Sequence, residues 1–374
     1  MKRLFLILFL SCCLLLTACS REKAGDDPDW EDPPRHTAAE PTGSDPGTSA
    51  PRDPSENTLP TGETNPTVPS AATDPSETTP AAAAVKITKD PYGETLVQGG
   101  RASFIAHAEN ADSLTWEFVD FNGNVFTTED TIQLNPDLKL VILDDEDMIC
   151  LRNTPLSLNG WSVRARFDGP GGTATTKEAL ITVQDPLVLY QDVIESYRKA
   201  FRDEKLDQQK ADEYGVSEMV IGADWLGYTI QDVNGDSVPE LLIFGGDDAF
   251  PAMPFLCELA MLEKGAPVSV LRSGFRFTYY WTKDAQFYFE GSSGAAYSYF
   301  YTYRMGEKNL EFVEGIKTTD LADNGDYGDI RYFYSTTTDS DDHSNDLELT
   351  ESSASSKIKS WQSQISVPAY TFIE

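Results

Sequence analysis

The sequence predicts a multi-domain chain: a disordered linker, then an all-β sandwich, then an α+β domain built on an antiparallel meander sheet. Three observations predict it. Residues 19–84 are dominated by Pro, Thr, Ser, Ala, Asp and Glu, with Trp30 their only aromatic residue. Residues 85–184 carry short runs in which apolar and polar positions alternate. From Pro186 onward, apolar residues first recur at helical spacing and then fall into a series of strand-like runs.

The chain opens with Lys2 and Arg3, an apolar run from Leu4 to Leu16, and Leu16-Thr17-Ala18-Cys19. A basic start, an apolar core and small residues before a cleavage point form a secretory signal. The run falls short of the ~20 apolar residues that a spanning helix needs. The Leu-Thr-Ala-Cys segment resembles the lipobox of bacterial lipoproteins. That resemblance implies cleavage after residue 18 and a diacylglycerol thioether on Cys19, with palmitate-type acyl chains as the membrane anchor. Each buried methylene contributes about 0.8 kcal/mol, so two long chains hold durably. Ser20 suits outer-membrane sorting, whereas the long Pro/Thr linker suits a Gram-positive surface. The expected address is the extracytoplasmic face of a single bacterial cell membrane.

Residues 19–84 cannot bury enough apolar surface to offset their ordering entropy, so disorder is expected. Stretched at ~3.3 Å per residue the segment reaches on the order of 200 Å. Proline and self-repelling acids stiffen it, as befits a spacer through the wall.

The formal net charge is −32, and loss of residues 1–18 makes it −34. So acidic a surface repels nucleic acid and anionic headgroups, because phosphate binding needs clustered Lys and Arg. Cations, neutral glycans and basic protein surfaces remain as partners. Beyond Cys19, the mature chain has Cys150 and Cys257, read as small buried hydrophobes. His36, His107 and His343 fall in separate predicted segments, which argues against a histidine triad or zinc site.

In residues 85–184, Ala102, Phe104, Ala106 and Ala108 alternate with polar partners, as do Leu114, Trp116 and Phe118. Period two is the mark of a half-buried strand. Trp161, Val163, Ala165 and Phe167 form another such run, and Gly169-Pro170-Gly171-Gly172 turns it into Ala179–Val183. With Gly99-Gly100 before the first long strand and Trp116 ten residues after Ala106, the segment resembles an immunoglobulin-like domain. The resemblance places the inter-sheet cysteine positions near Ala106 and Val163, where this chain has none, and puts Trp161 in the place of a corner tyrosine. It implies a spacer or adhesive unit.

Asp185-Pro186 marks the next boundary, with Pro186 suited to a first helical turn. Leu189, Tyr190, Val193, Ile194, Tyr197, Ala200 and Phe201 recur on one helical face. Strands are expected around 227–231, 240–245, 255–262, 266–271, 275–281, 285–290, 295–305, 309–316 and 329–336, with a closing helix over 351–364. Helices flanking an antiparallel meander make an α+β domain over 185–374.

Asp232-Val233-Asn234-Gly235-Asp236-Ser237-Val238-Pro239-Glu240 lies between two of these strands. Calcium takes six to eight hard oxygen ligands. Asp232, Asn234 and Asp236 supply oxygens at alternate positions, followed by the Val238 carbonyl and Glu240. The loop is similar to the calcium loops of FG-GAP repeats, and that resemblance implies a structural Ca2+. It departs from them at Ser237, where glycine is usual and a left-handed backbone would cost about 1 kcal/mol. The alternative is a metal-free turn in which Asp232 and Asn234 cap backbone amides. The acidic stretch Asp339 to Asp346 reads as a mobile solvated insertion.

Phe275, Phe277, Tyr279 and Trp281 share one strand face, and Tyr297, Tyr299, Tyr301 and Tyr303 share another. Core packing is the default for such clusters. The rival is a tyrosine platform for stacking on glycan rings. Glycosidases need a carboxylate pair across a cleft, and no motif nominates one. Gly-x-Ser-x-Gly and His-Glu-x-x-His are also missing from the sequence. A non-enzymatic surface protein displaying binding or adhesive modules is therefore expected, its partner an extracellular protein or a wall glycan. The alternative is a glycan-binding or glycan-acting C-terminal domain.

Overall fold

The computed structural model describes residues 82–143, 147–248, 253–294, 296–321, 327–337, 339–340 and 343–374. The signal segment, Cys19 and the linker up to residue 81 lie outside the described residues.

Period-two alternation builds the first half as expected. Strand Ser113–Val119 pairs in register with Ser162–Gly169, placing Trp116 opposite Ala165 and Phe118 opposite Val163. Ala179–Gln184 joins the same sheet, and Glu94–Val97 runs parallel to it. A second sheet is formed by Ala102–Ile105, Met148–Arg152 and Lys139–Leu143. Trp116, Phe118, Val163, Ala165, Phe167 and Ile181 from one sheet meet Phe104, Ile149 and Leu151 from the other in one core. This is a β-sandwich whose inner faces supply alternate residues.

The run expected to be continuous over 102–108 divides at Ala106. Ala102–Ile105 pairs with Met148–Arg152, whereas His107–Glu109 pairs with Lys86–Lys89. Buried Ala106 is the point where the chain changes sheets, and its small side chain permits the turn. Trp161 stacks on Phe126 at 5.0 Å and closes one end of the core. A short helix, α1 (Thr128–Leu134), was not expected. Its signal was the spacing of Thr127 and Asp130, which cap each other's backbone amides.

Strand Ala179–Gln184 passes into helix α2 (Pro186–Arg202) with Asp185 alone between them. Asp185 caps α2 by accepting from the Leu187 amide at 2.9 Å. The predicted stripe faces inward: Tyr190, Ile194, Tyr197 and Ala200 are buried against Leu241, Ile243 and Ala260. A second helix, α3 (Gln208–Tyr214), ends at left-handed Gly215.

The rest is an antiparallel sheet of eleven strands, nine of them close to their predicted places. Sequential neighbours pair from Trp225–Gln231 through Glu240–Gly246, Phe255–Glu263, Phe277–Trp281, Phe287–Ser292, Ser298–Met305 and Leu310–Leu321 to Tyr327–Ser335. Short strands Leu347–Leu349 and Thr371–Phe372 complete the two ends, and Ala266–Arg272 pairs beside Phe255–Glu263. The sheet curls. Leu242, Phe244, Leu259 and Met261 of early strands share a core with Trp281, Phe287, Tyr301, Tyr303 and Met305 of later ones. Helix α4 (Glu351–Gln362) covers the outer face, where Trp361 Nε1 donates to Glu314 at 2.9 Å and Gln362 to Glu290 at 2.7 Å. Residues Pro80–Glu374 form one compact unit.

A buried polar network ties α2 to the sheet. Tyr197 donates its hydroxyl to Glu258 at 2.7 Å and accepts from the Ser217 amide at 3.0 Å. Arg272 takes the other Glu258 oxygen at 3.1 Å. Burial first, and the Glu258 charge second, push the Tyr197 phenol far above its ordinary value. Tyr197→Phe strands a buried carboxylate oxygen and a buried amide. It should cost about 1–3 kcal/mol in urea unfolding, against a near-neutral Tyr92→Phe at an exposed site.

Candidate functional site

The acidic loop occupies the turn between Trp225–Gln231 and Glu240–Gly246. Asp232 accepts from the Gly235 amide at 2.7 Å and the Ser237 amide at 2.9 Å. Asn234 Oδ1 accepts from the Asp236 amide at 2.9 Å, and Asp236 Oδ1 from the Val238 amide at 2.7 Å. Glu240 reaches back to the Val233 amide at 2.9 Å. Ser237 has a left-handed backbone, φ 76°, as its position opposite the usual glycine predicts. That strain of about 1 kcal/mol is held by the five amide caps.

The donor chemistry suits a hard cation, since every side chain in the set offers oxygen. The closed loop nevertheless uses those oxygens on its own amides. Among the described residues, no three His, Cys, Asp or Glu side chains gather at metal-holding spacing. A cation would have to draw Asp232, Asp236 and Glu240 together. Glu240 is 2% exposed, and among the described residues no cationic side chain pairs with it. Burial, assisted by Asp236 and Asp232, pushes its carboxyl up to about 7 against the pull of the Val233 amide.

The two aromatic rows expected on separate faces meet on one. Tyr279, Phe289 and Tyr301 are in register on consecutive strands, as are Trp281, Phe287 and Tyr303. Their odd-numbered side chains line the inner face of the curled sheet. Tyr301 and Tyr303 are only 5% and 9% exposed, while Tyr297 and Tyr299 are half-buried. An open four-tyrosine strip therefore does not form. Gly315 lies beneath Tyr301, where a Cβ would meet the ring at 2.3 Å.

The reason for this burial is a segment expected to be a mobile insertion. Its described residues lie back across the aromatic face. Tyr303 donates to the Asp339 carboxylate at 3.1 Å, and Tyr301 to the Asp339 carbonyl at 3.3 Å. Lys317, 1% exposed, pairs with equally buried Asp346 at 3.0 Å and also donates to the Ser340 carbonyl. His343 contacts Asp346 at 3.2 Å and stacks on Phe333 at 4.3 Å. Burial alone would raise the Asp346 carboxyl, but hydrogen bonds from Lys317 and His343 hold it below its ordinary value. Sequence reading missed Lys317, a lone cation inside a strand whose acidic partner lies 29 positions on.

Cys257 is buried, as expected, and burial drives its thiol well up. Cys150 is half-buried instead, with Sγ 3.3 Å from Ser103 Oγ. His107 contacts Asp147 at 3.1 Å. A shallow cavity of about 260 Å³ lies beside α2, lined by Asp192, Ser196, Glu258, Ser269 and Arg272.

No protein-family model matches this chain, and no curated protein matches it in sequence. Solved structures similar to part of it are immunoglobulin domains. Tandem Ig repeats of Dlar share 17% identity over 29% of this chain, with a TM-score of 0.22. The chain spans about half (52%) of that structure. A chimeric titin Z1Z2 shares 16% identity over 28% of this chain and 96% of its own, with a TM-score of 0.22. The Ig1 domain of mouse SynCAM 2 shares 16% identity over 25% of this chain and 93% of its own, with a TM-score of 0.20. The sandwich described above stands on its own strand pairing.

Glu240 makes stability depend on pH in a defined direction. Its folded carboxyl titrates at about 7 against an ordinary 4.5, so the folded state holds the proton more tightly. Stability should fall as pH rises from about 4.5 to 7, by at most roughly 3 kcal/mol. Glu240→Gln should flatten that part of the urea-midpoint profile and be the more stable protein at pH 8.

Proposed function

We propose that this chain is a lipid-anchored bacterial surface protein that displays a binding module outside the cell. In this reading the folded part divides at Asp185 into an immunoglobulin-like sandwich and an α+β domain. One observation carries it: Leu16-Thr17-Ala18-Cys19 behind a basic and apolar start, followed by a long Pro/Thr/acidic spacer and then a folded unit. Signal, tether, spacer and display unit stand in the order that such a protein requires.

An extracellular protein is the favoured partner. Phe121 is 79% exposed at the tip of a turn whose backbone is braced by Asp120. Asp120 accepts from the Asn122 amide at 2.8 Å and the Asn124 amide at 2.9 Å. A rigidly presented aromatic side chain is the usual anchor of a protein interface, because little entropy is lost when it docks. A wall glycan is less favoured, since Tyr301 and Tyr303 are already covered by residues of this chain.

Calcium is the ligand we propose for the acidic loop, held by Asp232, Asn234, Asp236, the Val238 carbonyl and Glu240. Its role is structural. Support comes from the all-oxygen donor set and from the buried Glu240 carboxyl, which among the described residues has acids and no cation beside it.

Radioactive palmitate should label the wild-type protein in the bacterial membrane fraction. Cys19→Ser should be unlabelled and should move to the soluble or secreted fraction; equal labelling or equal fractionation removes the anchor. In calorimetric titration, millimolar calcium should release heat and raise the melting temperature, and Asp232→Ala with Asp236→Ala should abolish both. Silence of the wild type removes the metal without touching the anchor.

A further inference from the structure

We propose that the loop from Asp232 to Glu240 is a clamp that holds the sandwich at one angle to the long sheet, making the two a single rigid body. The junction itself is short but not sufficient. Asp185 is the sole residue between strand Ala179–Gln184 and α2, and one residue still leaves two soft dihedral angles. Rotation there must be blocked from the side.

The lateral contact is backbone against backbone. Gly99 sits in a tight turn with φ +84°, its amide donating to the Thr154 carbonyl at 2.8 Å. The next amide, of Gly100, donates to the Val97 carbonyl at 2.9 Å and closes that turn. A Cβ on Gly99 would lie 1.6 Å from the Ser237 carbonyl oxygen and 2.6 Å from its carbonyl carbon. Neither atom is the end of a flexible side chain, so neither can give way cheaply. The sandwich therefore rests directly on the crown of the acidic loop.

The loop is stiff enough to bear that contact and is anchored behind it. Five side-chain oxygens cap its amides, from Asp232 twice and from Asn234, Asp236 and Glu240 once each. Its exit is tied to α2, where buried Tyr190 donates to the Pro239 carbonyl at 3.2 Å. A second close approach lies beside the junction. The hairpin turn at Gly265 approaches the Gln184 side chain, with Oε1 3.3 Å from where a Cβ would stand. Asp185 and the Gly99–Ser237 contact thus hold the two parts at two separate points. None of these contacts involves a cation, so the clamp does not rest on the calcium reading.

The test is a distance distribution measured by pulsed electron resonance on the full chain, in the presence of a chelator. Nitroxide-bearing unnatural residues are placed at exposed Thr175 and Glu307, on opposite sides of the junction. Wild type should give one narrow distance. Gly123→Ala is the control, because Gly123 has nearly the same backbone (φ +83°) with nothing within 4 Å of its Cβ position. It should keep the narrow distance, whereas Gly99→Ala should broaden the distribution at least twofold or add a second population. A broad wild-type distribution overturns the proposal, and so does a Gly99→Ala distribution matching the control. If Gly99→Ala does not fold, the wild-type width is read by itself: a narrow distance supports the rigid body, and a broad one overturns it.

Discussion

A sheet that is apolar on both faces has to be covered on both, and that requirement organises the second half of this protein. Every residue of strand Glu240–Gly246 is buried. Even-numbered Leu242 and Phe244 face one way, and odd-numbered Leu241 and Ile243 face the other. Neither face can be left to water without losing about 25 cal/mol for each Å² of apolar surface. The amphipathic stripe of α2 covers one side, and α4 covers the later strands beside it. On the other side the sheet covers itself by curling, so that Met261 and Met305 enter one core. Lys308 and Glu263, 3.7 Å apart, meet where the curl brings the early and late hairpins together.

Curling leaves the wide part of the inner face uncovered, and the aromatic rings there would otherwise meet solvent. The segment carrying Asp339, Ser340, His343 and Asp346 fills that place with polar atoms. Tyrosine hydroxyls and the Lys317 ammonium are what make a polar cover compatible with an aromatic floor. A buried ion pair such as Lys317–Asp346 contributes little net stability, because desolvation offsets most of the attraction. Removing one partner is costly, because it leaves the other charge buried and unpaired.

The acidic loop joins these themes to the sandwich. Its carboxylates cap its own amides and hold Ser237 in a conformation that serine seldom adopts. The carbonyl presented by that residue is the surface on which Gly99 rests. The same stiffness leaves Glu240 buried beside two other acids, which is why its carboxyl titrates so high. A loop that reads as a ligand set is, in the folded chain, also a structural contact. The reading and the contact draw on one property, the convergence of short oxygen-bearing side chains on a tight turn.

By itself the sequence determined whatever depends on neighbours along the chain. Period-two alternation placed most strands of the sandwich, helical spacing placed the buried stripe from Tyr190 to Ala200, and Pro186 marked where α2 begins. The tight acidic turn and the strained backbone at Ser237 were legible for the same reason. Long-range pairing was not. Nothing local in Phe275–Trp281 and Tyr297–Tyr303 says that both rows line one face, because strand register and bulges decide that. Nor does the acidic stretch around Asp339 and Asp346 announce that the Asp346 side chain turns inward: its acidity reads as solvation until Lys317 and two tyrosine hydroxyls are placed beneath it. Tertiary structure alone decided those points, because the desolvation of a charge and the cover of a sheet face depend on partners that the chain brings from far away.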